Sequence, residues 1–289
     1  MPSVATPPLW YIGGSVRSGS TLLAGLVSLA TGGFNAGELH LLWRSFVNGR
    51  LCTCGVVLRE CPVWGPVQDL VLGRTGLTSA AEAARVESGE PSQRATIVRG
   101  LSALVPADAV ELRRRTEEAI TAVSGASALV DSSKVASTVV VADRLPRSLR
   151  VLQLVRDPRA VAFSLSRPKP DPSMSGQLMP QHAPARSAVN WLSYNLAFER
   201  MARQSPRQAA RIRYEDLVAD PYASCERLGL KPPPAVEAVS GGHAIAGNPW
   251  RFDPSRAIQI DDRWKGQMPA RERRLVEAIT LPLRARYGY

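Results

Sequence analysis

The stretch Gly14-Ser15-Val16-Arg17-Ser18-Gly19-Ser20-Thr21 combines residue types and a spacing suited to holding a phosphate-like anion. Glycines let backbone N–H groups turn inward around such an anion. A helix starting at the end of the turn adds partial positive charge. The spacing is that of the nucleotide phosphate loop, G-x-x-x-x-G-K-[ST], but Ser20 stands where the lysine would be. A triphosphatase needs that lysine on the β/γ-phosphates and a metal beside it. Here the nearby cation is Arg17, so the loop suits an anion of lower charge and does not demand a metal. The plain alternative is a strand–turn–helix whose glycines serve packing.

A second constellation is Val151-Leu-Gln-Leu-Val-Arg156-Asp157-Pro158-Arg159, followed by Ser164. Arg156 ends a buried strand, the place where parallel sheets bind ligands. Ser164 lies about two helical turns further on. An Arg fork and a hydroxyl can converge on one phosphate, and Asp157 can cap the helix. The alternative is a surface Arg in a capped turn.

These groups need elements to position them. Residues 9–13 read as a short apolar strand, 21–30 as a helix, 34–36 as a second strand and 39–48 as a helix. Residues 52–62 read as an irregular loop. Residues 76–100 are small, polar and weakly periodic, and read as an insertion. Residues 107–123 form a helix with an Arg/Glu face. Residues 128–131 and 149–155 are strands, and 135–145 and 158–166 helices, the last with Pro in its first turn. Residues 167–184 hold five prolines and read as a surface loop. Helix 185–202, strand 210–214, a Pro-rich tail to about 254 and a closing helix 270–280 complete the chain. Strand–helix alternation predicts an α/β fold: a single P-loop-like domain with a central parallel sheet flanked by helices and with loop insertions.

Together, GGSVRSGSTLL and LVRDPRAVAFSLSR resemble the sulfotransferases that use 3′-phosphoadenosine 5′-phosphosulfate (PAPS), and are closer to the tyrosylprotein and carbohydrate branch and its bacterial relatives than to the cytosolic branch. VDSSK at 130–134, RYEDL at 213–217, GNPWRF and WKGQMP add to the likeness, which spans about residues 9–269. The resemblance implies that Arg17, Ser18, Gly19, Ser20 and Thr21 hold the 5′-phosphosulfate and that Arg156 and Ser164 hold the 3′-phosphate. Tyr214 matches a tyrosine beside the cofactor. Arg167 sits one residue out of register with a family cofactor Arg. Glu38, in Gly37-Glu38-Leu39-His40, resembles the family's catalytic Glu and would take the acceptor's proton. His40 is its rival, because the cytosolic branch uses His. Two positions apart on a helix, the two side chains would face different ways, so only one is expected to act.

Only four lysines occur, Lys134, Lys169, Lys231 and Lys265, and the other 32 basic residues are Arg. Lys134 would neutralise the oxygen that bridges sulfur and phosphorus as it leaves. Lys265 lies on a loop that can close over the cofactor. A helix-start Glu and solvated lysines are the plain readings of Glu38, Lys134 and Lys265. The resemblance implies PAPS as cosubstrate with adenosine 3′,5′-bisphosphate as product, and transfer without a metal. The expected acceptor is a hydroxyl, or second to it an amine, with a glycan, glycolipid or secondary metabolite as candidates and residues 76–100 and 168–184 expected to shape its pocket. A P-loop kinase or nucleotide hydrolase, and a non-catalytic nucleotide-binding protein, are the competing readings.

Cys52, Cys54 and Cys61 share one loop, with Cys225 distant. Three readings stand: a Cys₃His zinc site with His40, a disulfide from Cys61 to Cys52 or Cys54, or reduced packing cysteines. His182 and His243 receive no role.

The chain of 289 residues has 45% apolar and 21% charged residues, which excludes a mostly disordered protein. Its net charge of +11 favours anionic partners, including peripheral contact with anionic surfaces. The charge is dispersed and not interleaved with aromatics, which argues against nucleic acid. No apolar run is long enough for a membrane span, and the first eight residues lack a leader pattern, so a cytoplasmic protein is expected.

Overall fold

The computed structural model describes residues 6–233, 242–253 and 258–289. Most of the stretch inspected for a leader, and part of the Pro-rich tail, lie outside the described residues. The five strands are β1 (Leu9–Gly14), β2 (Phe34–Gly37), β3 (Leu129–Lys134), β4 (Leu149–Val155) and β5 (Ala209–Arg213). They form one parallel sheet in the order β2-β3-β1-β4-β5. β1 and β4 are near-continuous apolar runs because helices cover both faces of a parallel sheet. Tyr11, Ile12 and Leu154 are fully buried.

The helices are α1 (Ser20–Thr31), α2 (Leu42–Val47), α3 (Trp64–Thr75), α4 (Ala80–Glu87), α5 (Gln93–Arg99), α6 (Ala107–Ser124), α7 (Ala136–Asp143), α8 (Pro158–Ser166), α9 (Pro184–Gln204), α10 (Tyr214–Ala219), α11 (Pro221–Arg227), α12 (Trp264–Gln267) and α13 (Ala270–Arg286). Leu23, Leu26 and Val27 of α1 pack with Ile12, Leu152 and Leu154 on one side of the sheet. Trp64 and Val67 of α3, Ile120 of α6 and Phe198 of α9 belong to the larger core on the other. Each fully buried Leu or Phe there stabilises the fold by about 1.5–3 kcal/mol. No helix among the described residues is long and apolar enough to cross a membrane.

Helices α3, α4, α5, α10, α11 and α12 occupy stretches for which periodicity predicts none. In α4 the signal is a capping pattern. Ser79 Oγ accepts from the Glu82 N–H, and Glu82 in turn accepts from the Thr78 N–H at 2.7 Å. Its buried face is a single alanine, Ala83, which contributes little to an apolar pattern. β3 runs three residues beyond the expected strand, 128–131, because its polar residues are paired inside the protein. Asp131 accepts from Arg113 at 2.8 Å and from the Ser133 N–H at 2.8 Å. The chain leaves β1 for β2 and β3 on one side, then crosses to β4 and β5 on the other. The crevice outside the carboxyl ends, with β1 between its two neighbours, is where such sheets bind ligands.

Candidate active site

Each strand delivers a group to that crevice at or just past its carboxyl end: Arg17 after β1, Glu38 after β2, Lys134 at the end of β3, Arg156 after β4 and Tyr214 after β5. All five line one cavity of about 630 Å³. That volume falls within the usual range for small-molecule sites, about 300–1,000 Å³. Among the described residues, four non-glycines have positive φ: Arg17 (65°), Lys134 (70°), Ser175 (53°) and Ala246 (50°). All but Ser175 line this cavity. Backbone in that region is costly for a side chain and collects at binding sites.

The loop after β1 is an anion cradle. Its Ser15 and Ser18 are buried, and neither hydroxyl has a hydrogen-bond partner. Gly19, at φ 96°, could carry no side chain, since a Cβ there would lie 2.4 Å from the Tyr214 ring. Arg17 donates from Nε to Ser164 Oγ at 3.2 Å and reaches Met179 Sδ at 3.5 Å. Arg156, 7% exposed, donates to the Arg17 carbonyl at 3.0 Å and the Asp261 carbonyl at 3.2 Å, and its Nε is unpartnered. Its guanidinium stacks 4.5 Å from the Tyr214 ring centre. The Asp261 carboxylate comes no nearer to Arg156 than 4.0 Å and is held by Arg263 at 2.7 and 2.9 Å. Burial, and then the neighbouring Arg156, lower the pKa of the Arg17 guanidinium. A buried guanidinium with a second beside it marks a place where a bound anion would be favourable.

On the other side of the cavity Lys134 Nζ forms a buried ion pair with Glu38 Oε1, and donates to the Ser132 carbonyl at 3.1 Å. Glu38 and His40 both line the cavity, contrary to the expectation that they would face apart. The reason is local: Glu38 precedes a 3₁₀ turn, Leu39–Leu41, so α-helix periodicity does not apply. The turn is fastened from below, since the His40 N–H donates to Ser133 Oγ at 3.1 Å and that hydroxyl donates to Asp131 at 2.5 Å. Burial lowers the His40 pKa and favours the neutral ring, whose Nδ1 has no partner. Gly37, at φ 76°, permits the chain at residue 245 to pass; a Cβ would sit 2.2 Å from the Ile245 carbonyl oxygen.

Ser20 and Thr21 also line the cavity. Thr21 Oγ1 accepts from the Asn248 N–H at 3.3 Å. Arg167 lines the rim, donating to Gln267 at 2.6 Å and lying 4.8 Å over the Phe163 ring. Ser164, expected beside Arg156, instead bonds Arg17, because Arg17 folds back over α8. Lys265 is not brought to the cavity. Its side chain, 65% exposed, pairs with Asp262 at 3.3 Å one turn away on the surface. Residues 168, 169, 171, 179 and 180 line the cavity. None of residues 76–100 does, since α4 packs against α2 and α6, and α5 against α9.

Sequence reasoning passed over Asn248 and Lys169, which line the cavity and bond each other at 2.7 Å. The scarcity of lysine was the available signal for the second. It also passed over Arg251, 4% exposed, whose Nε and Nη2 have no partner and whose pKa burial lowers to about 10. The cysteine reading changes in its histidine: Cys52, Cys54 and Cys61 gather around His243, not His40. All four cysteines are free thiols, so the disulfide reading is not met.

No family model matches the chain, and no curated protein sequence matches it. Solved structures do. A sulfotransferase domain from the curacin biosynthetic pathway is 20% identical, with a TM-score of 0.54 over 97% of this chain and 98% of its own. A sulfotransferase domain from the Synechococcus PCC 7002 olefin synthase is 20% identical, with a TM-score of 0.48 over 100% of this chain and 97% of its own. The parallel five-stranded sheet and the near-complete overlap with the curacin domain show that this chain has the fold of a sulfotransferase domain.

Proposed function

We propose that the protein is a sulfotransferase that moves the sulfuryl group of PAPS to an acceptor hydroxyl. The observation that carries this reading is the cradle. Two adjacent arginines, Arg156 donating to the Arg17 carbonyl, and two buried, unpartnered hydroxyls lie at a loop that lacks the lysine of a triphosphatase. The donor set suits a singly linked phosphosulfate at the loop and a second phosphate at Arg156. Arg17, with the Ser15 and Ser18 hydroxyls and the N–H groups at the start of α1, would hold the 5′ end. Arg156 would hold the 3′-phosphate, with Ser164 free to turn from Arg17 toward it.

PAPS supplies the sulfuryl group and leaves as adenosine 3′,5′-bisphosphate. Glu38 takes the proton of the acceptor hydroxyl as its oxygen bonds to sulfur. Lys134 meets the negative charge left on the phosphate oxygen as the sulfur–oxygen bond breaks. These two side chains hold each other in a buried pair. An anion arriving at Lys134 competes for its ammonium and so releases Glu38 Oε1 for the proton. Coupling base release to donor binding keeps the base engaged until the donor is present. Residues 168, 169, 171, 179 and 180, with Phe163 beside them, form the side by which a partly apolar acceptor enters.

Calorimetry with adenosine 3′,5′-bisphosphate in excess chelator, against ATP with Mg²⁺, tests the reading. Binding of the bisphosphate without metal is expected. Binding of ATP with Mg²⁺ alone would replace it with a nucleotide hydrolase or kinase. Label transfer from ³⁵S-PAPS to a panel of glycans, glycolipids and hydroxylated metabolites identifies the acceptor class.

A further inference from the structure

The cysteine loop and the segment that crosses it carry a feature that the transfer chemistry does not use. One ligand atom from each of Cys52, Cys54, Cys61 and His243 lies within 4.8 Å of the others. Cys54 Sγ is 3.8 Å from Cys61 Sγ, Cys52 Sγ is 3.8 Å from His243 Nδ1, and Cys61 Sγ is 3.3 Å from the same nitrogen. Zinc bonds of about 2.3 Å to sulfur and about 2.0–2.1 Å to imidazole put tetrahedral ligand atoms about 3.8 Å apart for two sulfurs and about 3.6 Å for sulfur and nitrogen. The Cys54–Cys61 separation matches the first value and the two separations from His243 Nδ1 bracket the second. They are far from the roughly 2.05 Å of a disulfide.

The backbone sets up this geometry independently of the four side chains. Gly55 N–H closes a turn on the Cys52 carbonyl at 3.0 Å, and Cys61 N–H closes another on Val57 at 3.1 Å. The histidine segment is pinned to the loop by Thr53, whose hydroxyl donates to the Ala244 carbonyl at 2.7 Å, and by Trp64, whose indole donates to the His243 carbonyl at 2.5 Å. Cys52 and Cys61 are buried, whereas Cys54 is exposed and leaves an entry path.

We propose that Cys52, Cys54, Cys61 and His243 form a closed tetrahedral zinc site that clips the cysteine loop to the segment under the active-site cavity. Soft thiolates with one imidazole select zinc over hard cations, and four protein ligands leave no open position for substrate. On binding, the three thiols give up their protons, neutral imidazole offers its Nδ1 lone pair, and the ion gives up its water. The resulting cluster has a net charge of −1. Arg251, buried with two unpartnered donor nitrogens, lies within electrostatic reach of Cys52 and would gain a counter-ion. Two residues beyond His243, the Ile245 carbonyl accepts from the Glu38 N–H at 3.0 Å and the Ile245 N–H donates to Ala36 at 3.1 Å. The clip therefore ends at the backbone of Glu38. It is a positioning site and stands whether or not the protein transfers sulfuryl groups.

The full chain, purified from zinc-supplemented culture, is tested by elemental analysis. One equivalent of zinc is expected, retained against mild chelation and released when a mercurial titrates the thiols. Refolding with Co²⁺ should give the thiolate charge-transfer band and intense visible bands of tetrahedral cobalt. Cys54→Ser, at the exposed ligand, and His243→Ala should each lose the metal. Cys225→Ser, at a buried cysteine elsewhere, should keep it. Substoichiometric metal with no tetrahedral cobalt spectrum, a mass two hydrogens short from an internal disulfide, or full zinc in Cys54→Ser would each overturn the site. Should the variants fail to fold, the cobalt spectrum of the unaltered chain decides.

Discussion

The two ends of the active-site cavity partner their charges in opposite ways. At the β1/β4 end, Arg17 and Arg156 spend their donors on neutral oxygens and a thioether, and the nearby Asp261 carboxylate is held by Arg263. At the β2/β3 end, Lys134 and Glu38 close on each other. The contrast separates binding from chemistry. Unmet positive charge is prepared for an anion that arrives from solution. A closed ion pair holds an acid–base pair in reserve and must open for use. A buried pair is also weak in net stabilisation but costly to break on one side only.

The sharpest way to break this contrast is Glu38→Gln. Loss of a general base should lower kcat by about 10²–10⁴. Because the change also frees Lys134, affinity for adenosine 3′,5′-bisphosphate should hold or rise. A fall in that affinity, measured calorimetrically, would show that the pair does not compete with the ligand. An acidic phenol acceptor should recover part of the lost rate, since it needs less help from a base.

Next in size is the stability of the pair. Lys134→Met leaves Glu38 without its partner at a site where the side chains are 7% and 11% exposed. Removing one member of a buried pair typically costs about 3–5 kcal/mol. The double variant Lys134→Met/Glu38→Gln should recover much of that cost in denaturant melts. Additive losses would mean that the two groups are solvated separately.

The cradle end should respond in binding alone. Arg156→Ala should weaken adenosine 3′,5′-bisphosphate about tenfold or more, the usual size of a lost charge-assisted contact of about 1.5–3 kcal/mol. Its melting temperature should move little by comparison, because no ion pair is broken at close range. If adenosine 5′-phosphosulfate binds the unaltered protein as well as PAPS, Arg156 does not serve a 3′-phosphate.

The smallest effect is a pH dependence. Burial holds His40 below its ordinary value near 6.5, with Lys134 and Arg44 acting in the same sense and Glu38 and Asp131 against it. The unfolded chain therefore takes up its proton first. Stability should fall as pH drops from about 6.5 toward the folded-state value, and level off below it. His182 shifts in the same direction, so His40→Gln should remove only part of the fall. Equal slopes for the two proteins between about pH 7.5 and 5.5 would remove His40 from the account.

Local rules make the cradle legible in the amino-acid sequence itself. Glycines at 14 and 19, an Arg and hydroxyls between them, and a strand ahead of a helix are features of one short stretch, governed by backbone sterics and helix termini. The same holds for Asp157 and Pro158, which start α8 as their types require. Alternating strands and helices imply a parallel sheet, whereas the adjacency of β1 and β4 is set by the strand order. By contrast, α4 is hidden because its buried face is alanine, and β3 extends past its apolar stretch because burying Asp131 is permitted only by an Arg113 that lies outside the strand.

What tertiary structure alone decides are the pairings between distant positions. Lys134 meets Glu38 across 96 positions, and Cys61 meets His243 across 182. Their residue types advertise reactivity, but chain spacing carries no information about partners once the sheet order intervenes. His40 is the nearer histidine to the cysteines along the chain. It faces the cavity instead, because a 3₁₀ turn aims it there while the segment after residue 241 returns past Gly37 and brings His243 to the loop. Residue types set which chemistries are available, and the crossing of the chain from one side of β1 to the other sets which groups can reach each other.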